Sequence, residues 1–370
     1  MPERPSATTS TARSAEQPTD AAAPPRVLRL TSPTAILKIA PVLLGFHPTH
    51  SVVILGAELH ATVKVGLRYP LYEPSDPSAS ARDIQHALTL LKQQRYVVAA
   101  AIGYGPAEHV TPLMKRLRDE ATDSGIQLIE LLRADGMRYW SYVCTNPTCC
   151  PPEGTPYDVK PDPTFETLTH TEVPGVLASR EALAALVAPS SGDEAASMKE
   201  ATNRAEQRVG RLKVRARQSD DPVIRRHPIA SAGIRSTRAA IKAYHEDRGI
   251  THIEAGWLCV ALRDLWVRDD ALSRMCPDNR QIHLKLWTDL TRLASPGFVA
   301  PPATLLTLVA WQSGNGALAN VALDRALADD PNYSLAGTLR SLVNLGLPPG
   351  KAEELMSPRE IAAWYRSGRS

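Results

Sequence analysis

Residue types that mark several classes of protein are scarce in this sequence. Aromatic residues make up 5% of the 370 residues, and only five cysteines are present. A small and odd number of cysteines argues against the disulfide framework of a secreted protein and favours the reducing cytoplasm. No apolar run reaches the length of about 18 residues that a transmembrane helix needs, so we expect no membrane partner.

The remaining composition is typical of a globular protein. Hydrophobic residues account for 43% and charged residues for 22% of the chain, and its length predicts about two domains. The net charge of +3 is too small to make the whole molecule a binder of polyanions. The 31 prolines are most frequent in residues 1–25 and 145–174. We interpret residues 1–25, which also lack an apolar signal-peptide core, as a disordered tail.

Residues 26–144 carry the pattern of a mixed α/β domain. Apolar, β-branched runs predict a hairpin of strands at 51–55 and 61–69. From the strand at 61–69 onward, strands and helices alternate in the order strand 61–69, helix 79–94, strand 96–102, helix 106–123, strand 126–132. This order predicts parallel pairing through right-handed crossovers, and residues 138–143 should add an antiparallel strand. We therefore expect a mixed-sheet, three-layer-like α/β domain.

The second half of the chain differs in kind. Residues 145–174 are interpreted as a proline-rich, cysteine-containing loop, and residues 175–370 as an all-helical domain. Helical spacing occurs at 179–188, 195–217, 230–247, 252–274, 279–294, 303–313, 316–328, 333–345 and 357–366. The predicted fold class is thus α/β plus all-α.

Residues 303–336 contain a hairpin similar to a tetratricopeptide repeat. The small and apolar positions of its second helix follow the repeat spacing at Ala319, Leu323, Ala326 and Pro331. A single repeat cannot bury its own faces, so we expect it to dock on the helices of 252–294. The hairpin predicts a protein partner that binds through the C-terminal helices.

Several short segments together carry a family resemblance. They are LGFHP at 44–48, WSYVC at 140–144, CCPPEG at 149–154, LWT at 286–288 and GALAN at 316–320. In combination they resemble the actinobacterial domain-of-unknown-function family 4192, over roughly residues 28–350. That family carries no established reaction. The resemblance therefore implies an actinobacterial host and an order of domains, and it transfers no catalytic residue.

Two glycines lie where a phosphate could approach the chain. Gly103 and Gly105 connect a predicted strand to a helix, where backbone N–H groups can face an anion. Glu108 stands in place of the third glycine of that fingerprint, which favours a plain tight turn instead. His47 and His50 precede a strand and form either a small site or an ordinary turn.

One strand and the loop after it suggest a second ligand-binding surface. Arg138, Trp140 and Tyr142 alternate along the strand and so share one face. Together with Glu153 they either line a ligand pocket or simply cover the edge of the sheet. The sequence leaves both interpretations open.

Three cysteines cluster near the start of the proline-rich loop. Cys144, Cys149 and Cys150, together with His170, have the chemistry of a tetrahedral zinc site. Their spacing departs from the paired spacing of zinc knuckles, because two of them are vicinal. A disulfide between Cys144 and a neighbour, or small residues that anchor the loop, are the alternatives. Zinc is therefore a possible cofactor, but the absence of any cofactor is the favoured interpretation.

Residues 199–248 concentrate positive charge. They contain 13 basic and 6 acidic side chains, a local net charge of +7. Four arginines recur at helical spacing and form a basic stripe: Arg204, Arg208, Arg211 and Arg215. No aromatic residue interleaves with the stripe and no nucleic-acid reader motif follows it, so nucleic-acid binding is less favoured than a solvated face or a partner within the same chain.

No catalytic motif accompanies these features. The sequence lacks a Ser-His-Asp order, a His-Glu-x-x-His motif and a nucleotide P-loop. We therefore favour a non-catalytic interaction or regulatory protein of the cytoplasm. The alternative is an enzyme, or a protein that binds a small molecule or metal, with its pocket between the α/β domain and the CCPPEG loop.

Overall fold

A computed structural model of the protein describes residues 32–59, 62–73, 75–158, 176–347 and 357–367. The predicted tail at 1–25 and residues 159–174 of the predicted loop lie outside these ranges. Within them the predicted fold class is confirmed, with a six-stranded mixed sheet in the N-terminal half and a mostly helical C-terminal half.

The described residues of the N-terminal half form six strands and three helices. The strands are β1 Ser51–Ala57, β2 Val63–Pro70, β3 Val98–Tyr104, β4 Gln127–Ala134, β5 Arg138–Ser141 and β6 Thr155–Pro156. The helices are α1 Pro33–Leu44, α2 Pro77–Gln93 and α3 Ala107–Asp123. Helix α1 begins where the Ser32 side chain accepts a hydrogen bond from the Ala35 N–H, and it ends at Gly45, which has a φ of +74°.

The strands are arranged in the order β2-β1-β3-β4-β5-β6. The predicted β1–β2 hairpin and the antiparallel addition of β5 to β4 are both confirmed. Parallel pairing is confirmed for β3 with β4, but the expectation for β2 with β3 is wrong, because β1 lies between them and is antiparallel to both. Strands β2 and β3 still run in the same direction, so α2 crosses over one intervening strand.

Both faces of the sheet are buried, which makes the N-terminal half three-layered. One face, which includes Val52 and Ile54, packs on the apolar sides of α2 and α3. The opposite face, which includes Val53 and Leu55, belongs to a cluster that contains α1 and continues without a break into the helical half. The halves therefore share one hydrophobic core, while the domain boundaries predicted from the sequence stay a prediction.

The C-terminal half is built from eleven described α-helices and one 3₁₀ turn. They are α4 Arg180–Ala185, α5 Gly192–Arg217, α6 Pro222–Arg226, α7 Ala230–His245, α8 His252–Ala261, α9 Leu265–Leu272, the 3₁₀ turn Pro277–Asn279, α10 Arg280–Leu293, α11 Ala300–Gln312, α12 Gly316–Asp329, α13 Ser334–Asn344 and α14 Pro358–Ser367. The single helix expected at 252–274 is two helices, because the Asp264 carboxylate accepts the N–H groups of Trp266 and Val267 and starts α9.

Helices α11 and α12 form the predicted C-terminal hairpin, which turns at Gly314. The Thr307 hydroxyl lies 3.5 Å from the Ala319 carbonyl oxygen, so the two helices approach closely at small residues. Helix α11 packs on α10, inside the region where docking was expected. The relation to tetratricopeptide repeats stays a prediction. In the described part of the chain, no helix has the length and apolarity needed to cross a membrane.

Candidate functional site

A cavity of about 460 Å³ opens at the carboxyl ends of β3 and β4. This is the edge where ligand crevices of open α/β sheets form, because loops diverge there and helix N-termini face the gap. Its wall contains Leu37 and Pro41 from α1, the loop at 47–50, Tyr104 to Pro106, Arg133 to Gly136, and Tyr157. The surface is mainly apolar, with a few polar groups.

Two buried hydroxyl groups, those of Ser51 and Tyr104, lie at this edge of the sheet. Ser51 pairs with Tyr104 across β1 and β3, and Tyr104 pairs with Ala134 across β3 and β4, so the three side chains share one face of the sheet. Neither the Ser51 hydroxyl nor the Tyr104 hydroxyl has a hydrogen-bond partner among the described residues. Burial raises the pKa of Tyr104 well above its usual range, so the phenol stays protonated.

The loop that carries two histidines forms one side of the cavity. The His47 N–H donates to the Leu177 carbonyl at 2.9 Å, and the His50 carbonyl accepts the Leu71 N–H at 3.0 Å. His50 has a φ of +43° in the left-handed region, so the turn is locally constrained. Neither imidazole shares a side-chain hydrogen bond with another described residue. Within the described part of the chain, both rings are therefore without a side-chain hydrogen bond.

An Asp-Gly turn closes the opposite side. The Asp135 carboxylate accepts the Met137 N–H at 2.9 Å and the Arg138 N–H at 2.8 Å. Partial burial alone would raise the pKa of Asp135, but these backbone hydrogen bonds outweigh it and lower the pKa. Asp135 is therefore ionised and stabilises the turn between β4 and β5. Its Oδ1 atom already accepts both backbone hydrogen bonds.

The two predicted glycines have different environments. A Cβ atom on Gly103 would lie 2.4 Å from a Val110 methyl group, so this glycine allows α3 to pack on β3. Gly105 lines the cavity, and its N–H donates to the Ala134 carbonyl at 3.3 Å. The structure thus brings only Gly105 to the cavity.

Arg138, Trp140 and Glu153 are brought together away from the cavity wall. The Arg138 guanidinium donates to the Gly154 carbonyl at 2.6 Å and to the Glu153 carbonyl at 3.3 Å. The Trp140 indole N–H donates to the Pro152 carbonyl at 2.9 Å. These contacts hold the CCPPEG loop on the sheet edge, and the Glu153 side chain is exposed.

Tyr142 points to a different neighbour. Its hydroxyl lies 2.8 Å from the Thr111 hydroxyl of α3, and its ring packs on the cluster beneath α2 and α3. The expected common pocket of Arg138, Trp140 and Tyr142 is therefore divided, because β5 ends at Ser141 before Tyr142 is reached.

The three cysteines predicted as ligands do converge. The Sγ atoms of Cys144, Cys149 and Cys150 all lie within 4.8 Å of one another. The Cys144 and Cys149 sulfurs are 3.0 Å apart, and the Cys149 and Cys150 sulfurs are 3.7 Å apart. The fourth predicted ligand, His170, lies outside the described residues.

Hydrogen bonds among the three thiols shift their pKa values in different directions. A hydrogen bond from Cys149 lowers the pKa of Cys144, and the same contact raises the pKa of Cys149. Burial, followed by hydrogen bonds to the other two thiols, raises the pKa of Cys150 to about 12. Cys144 is therefore the thiol that ionises first.

A family model for a domain of unknown function, DUF4192, matches residues 33–350. The protein belongs to the DUF4192 family. No curated protein and no solved structure shows significant similarity to the chain. The cavity, the cysteine cluster and the helical hairpin all fall inside the matched range of this DUF4192 chain. An actinobacterial host and a cytoplasmic location stay predictions.

The basic stripe of this DUF4192 chain lies on α5 and is exposed along its length. Arg204 pairs with Glu200 one turn earlier, and the Arg208 guanidinium lies 3.9 Å from the centre of the Trp257 ring. Arg211 and Arg215 have no ion pair among the described residues. Half of the stripe is thus used within the molecule, and the nucleic-acid interpretation stays a prediction.

A second cleft, of about 500 Å³, separates β2 from α12 and α13. Ion pairs link its helical side, since Arg180 lies 3.2 Å and Arg340 2.5 Å from the Asp324 carboxylate. Burial lowers the pKa of Arg68 on the sheet side, and Arg180 adds to that effect. Most of its charged groups already have partners, so this cleft is a weaker ligand site than the cavity.

Sequence reasoning named the glycines of the β3–α3 turn and missed the tyrosine between them. The local sequence offered no signal for it, because Gly103 and Gly105 face the opposite side of the strand from the Tyr104 side chain. Nor did it offer a signal for Ser51. Its position beside Tyr104 depends on strand order, which local sequence does not determine.

Proposed function

We propose that this DUF4192 protein binds a small molecule in the cavity at the carboxyl ends of β3 and β4. The observation that carries the proposal is Tyr104, a residue of the cavity wall whose buried hydroxyl has no hydrogen-bond partner among the described residues. An unpartnered buried hydroxyl costs about 1–3 kcal/mol, so folded proteins rarely keep one without a reason. A ligand group that pairs with Tyr104 supplies that reason.

The cavity also defines the class of ligand. Its volume of about 460 Å³ falls in the range typical of small-molecule sites. The mainly apolar wall suits an apolar body, while Tyr104, His47 and His50 suit one polar group that can pair with them. The ligand is thus a small amphipathic molecule rather than a polyanion.

Binding is favoured over catalysis by the state of the histidines. A histidine that activates a nucleophile is normally hydrogen-bonded to it and to an orienting group. Neither His47 nor His50 makes a side-chain hydrogen bond with a described residue. The sequence predicted an interaction or regulatory protein. We propose that the bound ligand regulates the contacts that the helical half makes with a partner.

The first test compares two tyrosines that differ in their hydroxyl partners. In the ligand-free protein, Tyr104→Phe is expected to raise the free energy of unfolding by about 1 kcal/mol, because it removes an unpaired buried hydroxyl. Tyr244→Phe should lower it by about 1–2 kcal/mol, because the Tyr244 hydroxyl donates to Asp289 at 2.7 Å. Urea unfolding measures both. Equal losses for the two variants would show that Tyr104 has a partner and would contradict the proposal.

A second test asks whether the cavity accepts a small amphipathic molecule. The probe is 1-anilinonaphthalene-8-sulfonate, whose emission rises in apolar sites. Thr49→Trp, at an exposed residue of the cavity rim, should weaken binding about tenfold. Thr338→Trp, at an exposed position of α13, is the matched control and should bind like the wild type. Equal affinities for both variants would place the probe elsewhere.

A further inference from the structure

The three clustered cysteines are not explained by packing. Cys149 is exposed, and Cys144 and Cys150 are only half-buried, so none of them fills the core as the buried Cys259 does. Small residues that merely anchor a loop do not need three sulfur atoms within 4.8 Å of one another. A cluster of this kind at the surface is typical of a site that uses the sulfurs chemically.

Backbone contacts create the cluster. The Ser141 hydroxyl accepts the N–H groups of Val143 and Cys144, at 3.1 and 3.0 Å. The Asn146 carbonyl then accepts the N–H groups of Cys149 and Cys150, at 3.3 and 2.9 Å. This turn brings the vicinal pair back onto Cys144, which compensates for spacing that looked unsuitable in the sequence.

The far end of the loop is held independently of the sulfurs. The Trp140 indole and the Arg138 guanidinium bind the carbonyls of Pro152 and Gly154, and the Arg133 guanidinium lies 3.4 Å from the centre of the Trp140 ring. These contacts fix the loop on β5. The three thiols are therefore positioned by neighbouring groups before any ligand binds, as a metal site requires.

We propose that Cys144, Cys149 and Cys150 together bind one zinc ion, with a water molecule in the fourth position. Zinc–sulfur bonds of about 2.3 Å in tetrahedral geometry place two sulfurs about 3.8 Å apart. The 3.7 Å between Cys149 and Cys150 matches this value, and the 3.0 Å between Cys144 and Cys149 must widen slightly. Each thiol that binds releases one proton to solvent, and nothing is oxidised.

A disulfide between Cys144 and Cys149 is the competing chemistry. It would need the two sulfurs to close from 3.0 Å to about 2.05 Å, and it would leave Cys150 unused. Zinc uses all three sulfurs with a movement of similar size. The zinc proposal does not depend on the ligand proposed for the cavity at β3 and β4, so either one can fail alone.

The test measures zinc in the full-length chain, produced with zinc in the medium and then dialysed against metal-free buffer. We expect about one zinc per chain in the wild type, and less than about 0.1 in Cys144→Ser and Cys150→Ser. Cys276→Ser, which changes an exposed cysteine of the helical half, is the matched control and should keep its zinc. Zinc-free wild type would overturn the proposal.

Two further measurements keep the result decisive if a variant fails to fold. Cobalt added to zinc-stripped wild type should give the charge-transfer absorption of thiolate-bound cobalt, which zinc then displaces. No such absorption would overturn the proposal. A wild-type mass about 2 Da below that of the reduced chain, located by peptide mapping to Cys144, Cys149 or Cys150, would also overturn it, because it would identify a disulfide at the same residues.

Discussion

Acidification from pH 7 to pH 4 is expected to remove about 3 kcal/mol of stability through one buried histidine, His283. Burial lowers the pKa of His283 from 6.5 to about 4. Between these values the unfolded chain takes up a proton that the folded chain does not, so the free energy of unfolding falls as the pH falls. The contribution is complete above pH 6.5 and is lost by about pH 4.

The structural cause is a neutral imidazole inside the helical core. His283 of α10 is fully buried, and its Nδ1 accepts the indole N–H of Trp287 at 3.0 Å. An acceptor nitrogen cannot carry a proton, so protonation would break this bond as well as bury a charge. Trp287 is itself fully buried, which places the sensitive pair at the centre of the half that carries the C-terminal hairpin.

Asparagine substitutions isolate this histidine from the carboxylates that also titrate in acid. His283→Asn retains an acceptor for Trp287 and removes the titrating group, so its free energy of unfolding should depend less on pH between 6.5 and 4. His245→Asn, at an exposed histidine of α7, should keep the wild-type dependence. Urea unfolding across this range measures all three proteins. A slope in His283→Asn equal to that of the wild type would rule out His283 as the source.

Two glycines on neighbouring helices are expected to respond to alanine in opposite directions. A Cβ atom on Gly256 of α8 would lie 2.8 Å from the backbone carbon of Ala201 and 3.0 Å from the backbone nitrogen of Thr202, both in α5. Backbone atoms cannot move aside as a side chain can. Gly256→Ala is therefore expected to lower the free energy of unfolding by up to about 3 kcal/mol.

Gly210, in α5 itself, is the matched control. No atom lies within 4 Å of the place where its Cβ would stand, so Gly210→Ala should raise the free energy of unfolding by about 0.5–1 kcal/mol. Thermal or urea unfolding shows whether each variant has a higher or a lower free energy of unfolding than the wild type. Similar changes in both variants would mean that α5 and α8 do not pack as closely as the structure shows.

Local patterns predicted most of the elements of this fold. Alternating and β-branched runs identified the strands, and apolar spacing identified most of the helices of the C-terminal half, because side-chain periodicity reports which face an element buries. Errors came where two elements met. The break at Asp264 divides one apolar pattern into two helices, and the position of β1 between β2 and β3 depends on pairing partners that are distant in sequence.

The candidate sites show the same division. Residue type and proximity were enough to single out Cys144, Cys149 and Cys150, whereas Trp140 and Tyr142 were grouped by alternation that stops when β5 ends. Tyr104 was missed because a tyrosine is an ordinary strand residue. Its importance follows only from the missing hydrogen-bond partner, which is a property of its surroundings.

By itself, the sequence determined the mixed α/β half and the helical half, since these depend on short-range periodicity, while its combination of short motifs carried the resemblance to the DUF4192 family that the family model shows. Only the tertiary structure decided which groups meet: Ser51 beside Tyr104 at one sheet edge, three sulfurs in one turn, and Gly256 against α5. The physical reason is that burial and hydrogen bonding are set by neighbours distant along the chain. Gly210 and Gly256 are both glycines within helices, and only the packing around them makes alanine acceptable at Gly210 and destabilising at Gly256.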